Sequence, residues 1–144
     1  TTPEEAIAST SPYGNFEQPF NLPYLAESCG AVYVARWTTY HVTHLKKAMR
    51  EALLKKGFSF VEVISPCPTL YGRRNRIGDG LDEVKTYKQR SVIRHGAPTN
   101  EVSLGMTGPI VVGKFVDRER PTYQDAMDQF YSRKLGDRYA RASQ

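Results

Sequence analysis

Cys67 is the side chain whose surroundings hold the most chemistry. It lies in Ser65-Pro66-Cys67-Pro68, directly after the apolar run Phe58–Ile64. A proline on each side restricts the backbone at both flanks, so the direction of the sulfur is set before any ligand arrives. Arg73, Arg74 and Arg76 follow within nine residues. Nearby cations favour the thiolate, the form that binds metals and attacks electrophiles. By residue chemistry alone two uses stay open: a small buried hydrophobe, the commoner fate of a free cysteine, or a thiolate ligand. Arg73, Arg74 and Asn75 form a second candidate group. Guanidinium forks match carboxylates and phosphates, so this loop could receive a substrate carboxylate, a coenzyme phosphate or an acidic partner. An interface ion pair or a solvated loop is the competing use.

Other constellations carry less. His41 and His44 are three apart and have no acidic neighbour in sequence, which favours helix-start surface positions over a metal pair. His95 sits in a loop without a sequence partner. In Glu4-Glu5 and Asp82-Glu83 the adjacent side chains diverge on any regular element, so neither pair is an acid/base dyad. No nucleophile–base–acid arrangement and no P-loop is present. Cys29, just before Gly30-Ala31-Val32, is expected to pack in the interior, as most cysteines do.

The elements that must position Cys67 are readable from period and punctuation. Asn21 is an N-cap for a short helix over Leu22–Ser28, with Pro23 in its first turn and Gly30 ending it. Residues 31–35 read as a buried strand. Leu45, Ala48, Met49, Ala52 and Leu53 share one face of the clearest helix. Phe58–Ile64 is a strand broken by Ser65-Pro66, and residues 69–80 form a basic, Gly-containing loop. Leu81–Arg90 is helical, 95–108 irregular, Ile110–Val116 a strand, and Thr122–Leu135 a final helix after Pro121. Helices alternating with apolar strands predict an α/β layer on a mostly parallel sheet flanked by helices. In such sheets the loops leaving the carboxyl ends of strands carry the chemistry, and the loop at Ser65 is one of them. Residues 1–20, rich in Thr, Ser, Pro and Gly, read as a loop or tether, and 21–144 as one α/β domain.

Bulk properties narrow the classes. The 144 residues fit one compact domain, and the net charge of +5 suits an acidic partner or an anionic substrate. Basic residues are dispersed and alternate with acids, as in Asp117-Arg118-Glu119-Arg120, which disfavours nucleic acid. No apolar run approaches the ~20 residues of a membrane span. Two cysteines without a secretion signal predict a reduced, cytoplasmic setting.

Ser65-Pro66-Cys67 after Glu62-Val63-Ile64, continued by Tyr71-Gly72-Arg73-Arg74-Asn75, resembles the β subunits of 2-oxoacid:ferredoxin oxidoreductases, and the continuation resembles the 2-oxoglutarate branch. Ser11-Pro12-Tyr13-Gly14-Asn15, residues 31–36, Lys56-Gly57-Phe58-Ser59-Phe60 and Gly113-Lys114-Phe115-Val116-Asp117 are similar to family segments in the same order, so the likeness covers roughly residues 1–125. It implies the carboxy-terminal portion of a thiamine-diphosphate-binding fold. It further implies that Cys67 is the last of four ligands to a 4Fe–4S cluster, the other three belonging to an amino-terminal half. Thiamine diphosphate and Mg2+ would be held mostly by that half, with Thr1 and Thr2 near their site. Implied partners are an α subunit (and γ and δ subunits in some members), ferredoxin and coenzyme A, with no nucleic acid or membrane. The isolated chain is expected to be inactive. Pyruvate or a branched-chain 2-oxoacid is the alternative substrate, and a non-catalytic assembly or regulatory module is the alternative class.

Two look-alikes are set aside. Gly78-Asp79-Gly80 spells the opening of the thiamine diphosphate motif, but residues 104–108 offer no Asn to complete it, so the triplet reads as a turn before the helix near Leu81. Gly105-Met106-Thr107-Gly108 resembles the family's diphosphate loop but lies ahead of the last strand, where that loop does not belong.

Overall fold

The computed structural model describes residues 2–140. Four strands, β1 (Tyr33–Thr38), β2 (Ser59–Ile64), β3 (Ser91–Ile93) and β4 (Ile110–Asp117), form one sheet in the order β2-β1-β4-β3. The helices are α1 (Leu22–Ser28), α2 (Val42–Leu54), α3 (Gly80–Arg90) and α4 (Tyr123–Leu135). β1 runs parallel to β2 and β3 parallel to β4, while β1 and β4 are antiparallel. The sheet is therefore mixed with parallel pairs at both edges, as the alternation of helices and strands predicts. No helix among the described residues is long and apolar enough to cross a membrane.

The two central strands explain the core. All six residues of β1 are buried, because the sheet is covered on both faces and alternate side chains enter opposite layers. Val34 packs with Ala26, Val102, Val111 and Phe115 on one side. Tyr33, Ala35 and Trp37 pack with Ala48, Tyr87, Ile110 and Val112 on the other. Each large apolar side chain removed from water in these layers contributes about 1.5–3 kcal/mol. The β1–β4 register shifts between Val34, opposite Val116, and Ala35, opposite Lys114. Phe115 is thus the extra residue of a bulge, and β4 bends there. Gly113, at φ +146, is required nearby because a Cβ would lie 2.9 Å from the Arg94 carbonyl oxygen.

Three helix starts follow sequence chemistry. Asn21 caps α1 by accepting from the Tyr24 amide at 3.3 Å. Thr122 and Asp125 form a reciprocal capping box on α4, and Asp79 and Asp82 form another on α3. Asp79 lies in the turn that the sequence predicts before this helix, and the structure adds its role as cap. Helix α2 departs from expectation. Of its apolar stripe, Ala48 is buried, but Met49 and Leu53 are exposed, Leu53 by 86%. α2 packs on β1 and β2 through Leu45, Ala48 and Ala52, which leaves the rest of its apolar stripe uncovered. Cys29 also departs: it is exposed, not packed. α1 is only seven residues long and buries Pro23 and Ala26, while Cys29, its C-cap, stays outside and the chain re-enters the core at Ala31.

Candidate functional site

The carboxyl end of β2 carries the site. Ile64 ends the strand, and Pro68–Gly72 winds into a single π turn that starts at Cys67. The Gly72 amide donates to the Cys67 carbonyl at 2.9 Å and closes the turn. The segment expected to be a loop is thus locally helical at its start. Pro66 and Pro68 supply no amide hydrogen, and Cys67 carries an exposed thiol between them.

Behind the turn lies Glu83 of α3, with 3% of its surface exposed. Its Oε2 accepts the Cys67 backbone N–H at 3.0 Å. Its Oε1 has no hydrogen-bond partner among the described residues and lies where Gly72 leaves room, since a Cβ on Gly72 would come within 2.5 Å of it. The neighbouring Asp82 points outward to Lys85 at 3.0 Å, so the adjacent pair diverges as its spacing requires.

A cavity of about 320 Å³ opens beside this turn, lined among others by Cys67, Tyr71, Glu83, Tyr87, Arg90 and Met106. Burial first, then the charge of Glu83, pushes the Tyr87 phenol up to about 12. Burial also raises the Tyr71 phenol, partly opposed by Arg90. Both hydroxyls therefore keep their protons at neutral pH. Tyr71 donates to the Met106 sulfur at 2.9 Å. Arg90 donates to the carbonyls of Met106 at 2.9 Å and Gly108 at 2.7 Å. Gly105-Met106-Thr107-Gly108 is thus tied to α3 as a wall of the cavity.

The basic loop divides. Arg73 and Arg74 are exposed and present their guanidinium groups to solvent. Asn75 is committed to the protein's own backbone. Its Oδ1 accepts the Ile7 amide at 2.8 Å, and its Nδ2 donates to the carbonyls of Ile7 at 3.0 Å and Tyr71 at 2.9 Å. Its amide thereby pins the amino-terminal tether to the π turn. Thr1 lies outside the described residues. Thr2 is half-buried, and its carbonyl accepts from Asn15 Nδ2 at 3.0 Å.

Sequence reasoning missed Glu83, hidden in an ordinary charged pair, and the rings around Trp37. His44 stacks on that indole with centroids 4.7 Å apart, and His41 and His95 approach it at 5.6 and 6.0 Å. His95 Nδ1 also accepts from the Lys114 amide at 3.1 Å, a partner its loop position concealed.

Among the described residues no group of three or more His, Cys, Asp or Glu could hold a metal ion. A four-thiolate centre would take only one corner here, and an exposed thiol at a rigid strand end fits that single role. The Asp79 carboxylate caps α3.

Residues 1–63 match the family described as thiamine pyrophosphate enzyme, C-terminal TPP binding domain. The chain is 37% identical over 136 residues to the 2-oxoglutarate synthase subunit KorB of Methanothermobacter marburgensis, covering 94% of this chain and 47% of that protein. It is 41% identical over 128 residues to the protein of the same name from Methanocaldococcus jannaschii, covering 88% and 47%. The chain thus spans about half the length of these relatives. A 2-oxoglutarate:ferredoxin oxidoreductase from Magnetococcus marinus, solved with 2-oxoglutarate, coenzyme A and succinyl-CoA bound, superimposes with a TM-score of 0.70 at 22% identity, over 97% of this chain and 48% of that one. At that identity the likeness establishes a shared fold.

Proposed function

We propose that the chain belongs with the β subunits of 2-oxoacid:ferredoxin oxidoreductases, which its likeness to the KorB proteins supports, and that it is part of a complex that oxidatively decarboxylates a 2-oxoacid, 2-oxoglutarate in the first place, forms the acyl-CoA and reduces ferredoxin. The observation that carries the reading is the exposed Cys67 thiol, held between two prolines at the carboxyl end of β2. In this role Cys67 contributes one thiolate to a 4Fe–4S cluster, and partner segments contribute the rest. The cluster supplies one-electron transfer. This chain fixes the direction of one sulfur beside a cavity lined by apolar and tyrosine side chains.

Thiamine diphosphate and Mg2+ belong to the proposed complex, and their chemistry is the cofactor's own. Their anchors are proposed to lie mostly outside this chain, with Thr1 and Thr2 near the site. Arg73 and Arg74 are proposed to receive an anionic partner, either acidic ferredoxin or an anionic group of the substrates. Partner subunits complete the enzyme, the chain by itself is inactive, and the reduced thiols suit a cytoplasmic complex.

The test is anaerobic purification of the complex with its partner subunits, with Cys67 intact and as Cys67→Ser, followed by iron analysis, electron paramagnetic resonance and a panel of 2-oxoacids. The reading expects an iron centre that Cys67→Ser abolishes or converts to a species of altered signal, and highest turnover with 2-oxoglutarate. An intact complex with equal iron and an unchanged spectrum in the variant rejects Cys67 as a ligand.

A further inference from the structure

We propose that Glu83 is the positioning residue for Cys67: it occupies the Cys67 amide and so leaves the Pro66-Cys67-Pro68 segment without a free backbone N–H near the sulfur. The inference rests on Cys67 being a cluster ligand and adds a residue that governs how that ligand behaves.

The burial of Glu83 is costly and unexplained by packing alone. A carboxyl group with 3% of its surface exposed gives up water, and one of its oxygens receives nothing in return. Such a group is retained where its geometry serves something. Its single described hydrogen bond is to the Cys67 N–H, 16 residues away in sequence. The surroundings are arranged to admit it. Gly72 lacks the Cβ that would fall 2.5 Å from Oε1, and the capping box of Asp79 and Asp82 starts α3 directly before Glu83.

The consequence is electronic as well as steric. Hydrogen bonds donated to cluster sulfurs stabilise the more negative, reduced state and raise the potential. Three consecutive residues could offer such donors here. Pro66 and Pro68 have none, and the third is spent on Glu83. Removing the carboxyl releases the Cys67 amide, loosens the turn and frees a donor toward the sulfur.

The experiment compares Glu83→Ala and Glu83→Gln in the complete subunit assembled with its partners. Two quantities are read: hydrogen exchange at the Cys67 amide, and the midpoint potential of the iron centre followed by electron paramagnetic resonance. Glu83→Ala should speed exchange by about tenfold, the worth of one hydrogen bond, and shift the potential upward. Glu83→Gln keeps an acceptor oxygen and should stay near the parent protein in both. If Glu83→Ala does not assemble, Gly72→Ala takes its place, since it displaces the carboxyl while leaving it in the chain, and the same two shifts are expected. An iron centre present in every variant with unchanged potential and exchange overturns the positioning role alone. A parent complex without iron overturns both this role and the ligand assignment.

Discussion

Arg36 and Glu62 face each other across the parallel pair β1–β2, with Nε and Oε2 2.6 Å apart and side chains only 1% and 11% exposed. Arg36 also donates to the Val102 carbonyl and lies over the Phe115 ring, 5.9 Å from its centroid. Its charge is thus embedded in an apolar layer with one carboxylate to balance it. Breaking a buried pair from one side leaves the other ion uncompensated, at a cost of about 3–5 kcal/mol. Glu62→Ala should therefore lower stability by that order in chemical denaturation. Replacing both residues with apolar side chains of similar volume should recover most of the loss.

Asn75 makes three hydrogen bonds that join the π turn to the amino-terminal segment. Asn75→Ala should cost about 1–3 kcal/mol, because it strands the Ile7 backbone groups as well as removing the amide. Limited proteolysis within residues 1–20 should accelerate, with little change elsewhere. An unchanged cleavage pattern would show that the tether is held by other contacts.

Asp79 accepts from the amides of Leu81 at 2.8 Å and Asp82 at 3.0 Å. Losing that cap with Asp79→Ala should cost about 0.5–2 kcal/mol. Because α3 carries Glu83, hydrogen exchange at the Cys67 amide should quicken too, which links a surface cap to the site. Asp79→Asn, which retains the acceptor, should be nearly silent in both measurements.

His41 gives a pH dependence with a definite sign. Burial first, then the neighbouring charge of His44, lowers its pKa below the ordinary histidine value. Nδ1 is engaged with Thr38 Oγ1 at 2.9 Å. The unfolded chain therefore binds the proton more readily, and stability rises with pH across this window. The contribution is fully present above about pH 6.5 and is lost as pH falls through the depressed folded value. The thermal midpoint should drop between about pH 7.5 and 5, and His41→Gln should flatten that slope. An identical slope in the variant would assign the acid sensitivity to other groups.

Much of the architecture is legible in the sequence because local chemistry and final structure agree. Asn21, Pro23 and Gly30 delimit α1, and Pro121 with Thr122 announces α4, since caps act within a turn of themselves. β3 is not legible. It spans three residues and follows α3 without a break, so no period can develop. The exposed side of α2 escapes for a different reason. Met49 and Leu53 satisfy helical spacing, but how much of a face is covered depends on where the sheet ends.

The site shows the same division. Cys67 stands out because prolines and arginines surround it in sequence. Glu83 does not, because a buried carboxylate differs from a solvated one only through a contact 16 residues distant. Asn75 is of the same kind: its contact with Ile7 spans 68 residues, which no local pattern announces.

The position of β2 at the margin of the sheet bears on how the chain behaves when produced by itself. Ser59–Ile64 holds neither proline nor lysine to discourage pairing, and among the described residues its far side is bordered by no other strand. Together with the bare Leu53 and Met49 of α2, that rim is a template on which foreign strands can extend the sheet. A lysine in place of the exposed Val63 should therefore raise the soluble yield of the chain produced by itself.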